Sequence, residues 1–136
     1  MRKPNPSTVI IDGSSEVIIT YHDLSTCMPE REGEIRIIPM GGPDSNYVFT
    51  HYTVKYKVFK RDSNRTMKNN DWIQDVKHLI RKAKSEETYS CGGFAANGKG
   101  VMVRIESGGG FEQIFFCKDQ WDGIGELLEQ LRANSE

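Results

Sequence analysis

Hydrophobic and polar positions alternate with a period of two in several stretches of the chain, and switch to helical spacing in two others. Val9, Ile10 and Ile11 run into Asp12-Gly13-Ser14-Ser15, and Val17 to His22 lead back, which predicts a hairpin. Its Asp-Gly pair supplies the positive φ of a tight turn. Residues 23–33 lose the alternation and read as a loop. EIRIIPM, residues 34–40, predicts a further strand, with Pro39 marking an edge or a strand end. Gly41 to Asn46 form a turn, so the next run, YVFTHYTVKYKVFKR at 47–61, is expected to be that strand's hairpin partner. Fully extended at about 3.3 Å per residue, this run would reach roughly 50 Å, too long for a small sheet. A bulge or bend is therefore expected near His51 to Thr53, and DSNRTMKN at 62–69 reads as a polar connector.

Trp72, Ile73, Val76, Leu79, Ile80 and Ala83 fall on one stripe of a 3.6-residue helix. Asn69 or Asn70 suits its start, and Arg81, Lys82 and Lys84 suit the negative end of its dipole. Three strands follow by pattern: TYSCGGFAA, leading to the turn pair Asn97-Gly98; KGVMVRIE; and, after Ser107-Gly108-Gly109-Gly110, FEQIFFCK. A second helix is predicted over 119–133, with Trp121, Ile124, Leu128 and Leu131 as its buried stripe.

The expected fold is α+β: an antiparallel sheet of about seven strands with two amphipathic helices, in the order ββββ-α-βββ-α. A single domain over 1–136 is expected, with residues 1–7 as a frayed terminus. This order of elements resembles the repeated four-strand-and-helix units of the Whirly and Pur-alpha families. Those families bind single-stranded nucleic acid, and the resemblance implies such a role here. It is one of topology: the Lys-Gly-Lys-Ala-Ala-Leu signature of plant Whirly proteins does not occur in the chain.

Composition narrows the classes. The chain is 37% hydrophobic and 27% charged, as expected of a globular protein, and it has no apolar run of membrane-spanning length. Its opening residues lack the apolar core of a signal peptide, so a cytoplasmic location is the expectation. Cys27, Cys91 and Cys117 are widely spaced, which suits reduced thiols rather than a zinc knuckle or redox pair. The net charge of −1 conceals an uneven distribution. Residues 55–82 hold nine Lys/Arg against three Asp/Glu, while the segments on either side are both net negative.

That basic segment begins inside the 47–61 run. The odd positions of the run are Tyr47, Phe49, His51, Thr53, Lys55, Lys57, Phe59 and Arg61. Rings followed by cations are what a single nucleic-acid strand requires of a sheet, because every base offers a π-face and every phosphate a charge. Tyr47 and Phe49, joined by His51 and Phe59, are thus candidates to stack on bases, with Lys55, Lys57 and Arg61 on phosphates. The opposing reading puts a helix over these rings and leaves the lysines guarding a strand end. Lys77 and Arg81 on the first helix would extend the positive field, and Lys99 and Arg104 could touch a bound anion. Gly123 and Gly125 would allow a close backbone approach, at a homo-oligomer or partner interface or within the protein's own fold.

No catalytic motif is present, and no His or Cys pair has ligand spacing, so neither an enzyme nor a metal or other cofactor is expected. The leading expectation is a non-catalytic binder of single-stranded DNA or RNA. The alternative is a small interaction or inhibitor protein that docks on a macromolecular partner. A third reading is a binder of a small phosphorylated ligand such as a nucleotide.

Overall fold

A computed structural model describes residues 9–23, 32–40, 46–55, 58–67, 70–85, 101–116 and 123–135. The elements are β1 (Val17–Asp23), β2 (Glu32–Pro39), β3 (Tyr47–Lys55), β4 (Val58–Met67), α1 (Asp71–Ser85), β5 (Val101–Ser107), β6 (Gly110–Phe116) and α2 (Gly123–Ala133). The fold is α+β, and the six strands among the described residues form one antiparallel sheet of order β4-β3-β2-β1-β5-β6.

Four strands precede α1, as expected, but they are not the four expected ones. Val9 to Ile11 form no strand; this segment packs Ile11 into the core, and Gly13 takes φ +83° in the turn that follows. There Asp12 accepts hydrogen bonds from the Ser14 amide, at 2.9 Å, and from its hydroxyl. The 47–61 run is not one long strand but the whole of β3 and the start of β4, which are paired antiparallel. The expected bulge is present, with the register shifting between His51 and Tyr52. The supposed connector at 62–69 continues β4 as far as Met67. Its polar composition is tolerated because β4 ends the order of described strands, where backbone pairing with β3 matters more than burial. Of the β4 side chains that are described, Arg65 is exposed, Thr66 is half-buried and Met67 is fully buried. The strand expected at 88–96 lies outside the described residues, as do residues 119–122 at the expected start of the second helix.

The sheet is strongly two-sided. Odd-numbered residues of β1, β2, β3 and β5 face the helices: Val17 and Ile19, Ile35 and Ile37, Tyr47 and Phe49, and Val101, Val103 and Ile105 are all buried. From α1 they meet Trp72, Val76, Leu79 and Ala83, as its spacing predicts, and from α2 Ile124, Leu127, Leu128 and Leu131. Each fully buried side chain of this size contributes about 1.5–3 kcal/mol.

The two helices run antiparallel and are joined along a polar seam. Lys82 Nζ donates to Glu126 Oε2 at 2.6 Å, and Asn134 Nδ2 donates to Asp75 Oδ2 at 2.9 Å. Burial at this seam pushes the Asp75 carboxyl above its ordinary range, against the opposing effect of the Asn134 bond. A carboxyl raised in the folded state favours folding most when protonated, and that contribution fades as pH rises through its folded pKa. Asp75→Asn is therefore expected to raise the urea midpoint near neutral pH, because the amide oxygen can still accept from Asn134. The advantage should shrink in acid, and an equal effect at both pH values would contradict the burial of this charge.

Candidate interaction surface

The register decides the fate of the aromatic strand. Phe49 pairs with Ile37 and His51 with Ile35, so the rings lie on the same face as the isoleucines of β2. Tyr47, Phe49 and His51 retain 6%, 0% and 4% of their exposure. The Trp72 indole meets the Tyr47 ring edge-on with centroids 5.0 Å apart. His51 is turned inward, where its Nε2 shares a 2.8 Å hydrogen bond with the Tyr21 hydroxyl. The expectation that these three rings stack on bases is thus corrected: all three are buried within the chain, Tyr47 and Phe49 in the core shared with the helices and His51 against Tyr21. Two helices with apolar stripes need a wide apolar floor, and β3 supplies one flank of it, beside β2 and β1. The side chains of Lys55, Phe59 and Arg61, and the whole of Lys57 and Lys99, lie outside the described residues.

The opposite face of the sheet carries charged side chains that engage one another. Arg36 donates to Glu34 at 2.9 Å and lies 3.4 Å from Glu16, while His22 lies 3.3 Å from Glu32. Arg104, a candidate anion contact, donates to Glu106 at 2.5 Å and to Gln113 at 3.4 Å. Its guanidinium also lies 4.1 Å from the centre of the Phe111 ring, closing one face of that ring. A shallow depression of about 350 Å³ opens beside this pair, floored by Ile18 and the Gly108-Gly109 turn. With Glu16 and Glu106 on its rim, it is no site for a phosphate.

The outer face of α1 differs. Lys77 and Arg81 are exposed one turn apart, and among the described residues neither makes a hydrogen bond or ion pair. Lys77 acts at longer range. It reinforces the Ser14 hydrogen bonds that hold the Asp12 carboxyl below its ordinary value. Lys84, one further turn along the same stripe, donates to Glu112 on β6 at 2.5 Å. These three cations border a cleft of about 280 Å³ between α1 and the Val9–Ile11 segment. Lys82, whose side chain stays largely in solvent, is engaged by Glu126.

Sequence reasoning singled out Lys77 and Arg81 but missed Lys84, Ile80, Val9 and Ile11 as their neighbours. The i, i+4, i+7 spacing of the three cations was the available signal. Gly123 is buried and lines the seam against Leu79 and Lys82 of α1, so its close approach is to the protein's own helix rather than to an outside partner. Gly125 is half-buried. Among the described residues, no group of His, Cys, Asp and Glu could hold a metal ion, and no helix is long and apolar enough to cross a membrane. Compared with known proteins, the chain matches no family model, no curated protein and no solved structure.

Proposed function

We propose that the protein is a non-catalytic docking module that recognises an acidic surface on a protein partner through the outer face of α1. One contrast carries this reading. Arg36, Arg104 and Lys82 are each held by a carboxylate of the same chain, whereas Lys77 and Arg81 are exposed and have no such partner among the described residues. Asp12 acts on Lys77 only at longer range, and positive charge that is not closed into an ion pair favours association with an acidic surface and raises its rate.

A nucleic-acid strand is disfavoured as the ligand because no aromatic side chain lines the cleft beside these cations, while Tyr47, Phe49 and His51 are covered. A nucleotide is disfavoured for the same lack of a stacking ring, and the cleft is small and open beside the cavities that enclose such ligands.

Fluorescence anisotropy against a labelled glutamate-rich peptide and a labelled oligothymidylate of equal charge tests the reading. The peptide is expected to bind more tightly, with an affinity that falls as salt rises. Lys77→Glu combined with Arg81→Glu should weaken it about 3- to 30-fold, from ~0.3–1 kcal/mol per exposed charge. Tighter binding of the oligothymidylate, or peptide binding untouched by the double reversal, would overturn the proposal.

A further inference from the structure

We infer that the cleft between Val9–Ile11 and α1 seats an acidic amphipathic segment of the partner, with its apolar side chains inserted between the cationic residues. This rests on the docking reading above and adds what the partner must present. The cleft is not merely a charged patch. Val9, Ile11 and Ile80 form its apolar lining, with Ile11 buried in the core and Val9 and Ile80 half-buried against it. Lys77, Arg81 and Lys84 stand around that lining, and Glu112 closes one side, already engaged by Lys84.

An apolar floor with a cationic rim matches a helix or extended segment that carries acids on its flanks and aliphatic residues at its centre. At about 280 Å³ the cleft can receive one or two aliphatic side chains rather than a whole enclosed ligand. Charge complementarity favours a different protein over a second copy of this chain. Among the described carboxylates, Glu16, Glu34, Glu106, Glu112 and Glu126 are already paired with cations of their own chain, and a copy would have to break those ion pairs to offer them, a cost that an acidic segment of a different protein does not carry.

Two labelled peptides of equal length and charge test the inference, one placing leucine between glutamates at helical spacing and the other placing serine there. The leucine peptide is expected to bind roughly five- to tenfold more tightly, the worth of one partly buried leucine. It should also shift the amide resonances of Val9, Ile11, Lys77 and Ile80. Ile80→Gln should erase the advantage of leucine while leaving the weaker binding of the serine peptide intact. Val9→Ser, at the cleft's other wall, should do the same and serves if Ile80→Gln unfolds the protein. Equal binding of the two peptides to the unaltered protein would remove the cleft from the account and leave charge-driven docking standing. Failure of both peptides to bind would remove the docking reading itself. A concentration-dependent dimer in sedimentation, dispersed by Ile80→Gln, would overturn the inference by giving the cleft to a second copy.

Discussion

Phe49→Ala is expected to lower the unfolding free energy by about 3–5 kcal/mol, the cost of truncating a fully buried aromatic and leaving a cavity. Phe49 has no exposed surface, and it pairs across the sheet with Ile37, itself fully buried. Since domains of this size are stable by only about 5–15 kcal/mol, the loss is a large part of the total and should lower the melting temperature by roughly 10–20 °C. A ring stacked on a base would behave differently: its removal would weaken binding by about 1–3 kcal/mol and leave the melting curve unchanged. Calorimetry and peptide anisotropy on the same variant separate the two roles. An unchanged melting temperature with weakened oligonucleotide binding would return Phe49 to the surface and revive the nucleic-acid reading. Conversely, Phe49→Ala should bind the glutamate-rich peptide normally wherever it remains folded, because the cleft on α1 does not include it.

The inward turn of Phe49 explains both what was legible in the sequence and what was not. The helical stripes were plain, because Trp72, Val76, Leu79 and Ala83 all recur on one face and all are buried. Parity along β3 was plain too; the bulge was expected from the length of a single 15-residue strand, whereas the run is divided between β3 and β4 and the register shift at His51/Tyr52 lies in their pairing. Which parity faced the helices was not, since the even face, with Val48, Val54 and Val58 among two tyrosines, is as suited to a core as the odd one. The β2–β3 hairpin held the missing information. Glu34 and Arg36 mark the even face of β2 as polar, and the Met40 amide donates to the Asn46 carbonyl at 2.9 Å across the turn. Pairing residue 40 with residue 46 aligns Ile37 with Phe49, placing the ring among isoleucines.

The polar strand β4 was illegible for a different reason. Hydrophobic periodicity reports burial, and a strand with little to bury gives no period to read. The cleft on α1 depends on Val9–Ile11 lying against the helix, a tertiary contact between segments more than 60 positions apart, for which local pattern has no signal.

Gly33→Ala is the second large effect expected, and it arises from space rather than backbone conformation. Tyr21 pairs with Gly33 on the neighbouring strand, and its side chain crosses the glycine to reach His51 on β3. The stacked Tyr21 and His51 rings, with centroids 6.1 Å apart, thus bridge β1 and β3 over a position in β2 that has no side chain. A Cβ at Gly33 would collide with the Tyr21 hydroxyl and come within 2.6 Å of the Tyr52 carbonyl oxygen, at the bulge. Tyr21 can swing away, at the loss of its part-buried hydrogen bond to His51, worth about 0.5–1.5 kcal/mol. The Tyr52 carbonyl belongs to the sheet backbone and cannot move without disturbing the β2–β3 ladder. Overpacking of this kind costs typically about 1–3 kcal/mol, so the two effects together should destabilise the protein by roughly 2–4 kcal/mol in urea unfolding. Tyr21→Ala in the same chain removes the collision with the hydroxyl but not that with the carbonyl. Gly33→Ala should therefore cost measurably less in the Tyr21→Ala background than alone, a coupling expected of residues in direct contact. An identical cost in both backgrounds would mean that Tyr21 does not lie over Gly33, and that His51 is held in the core by some other contact.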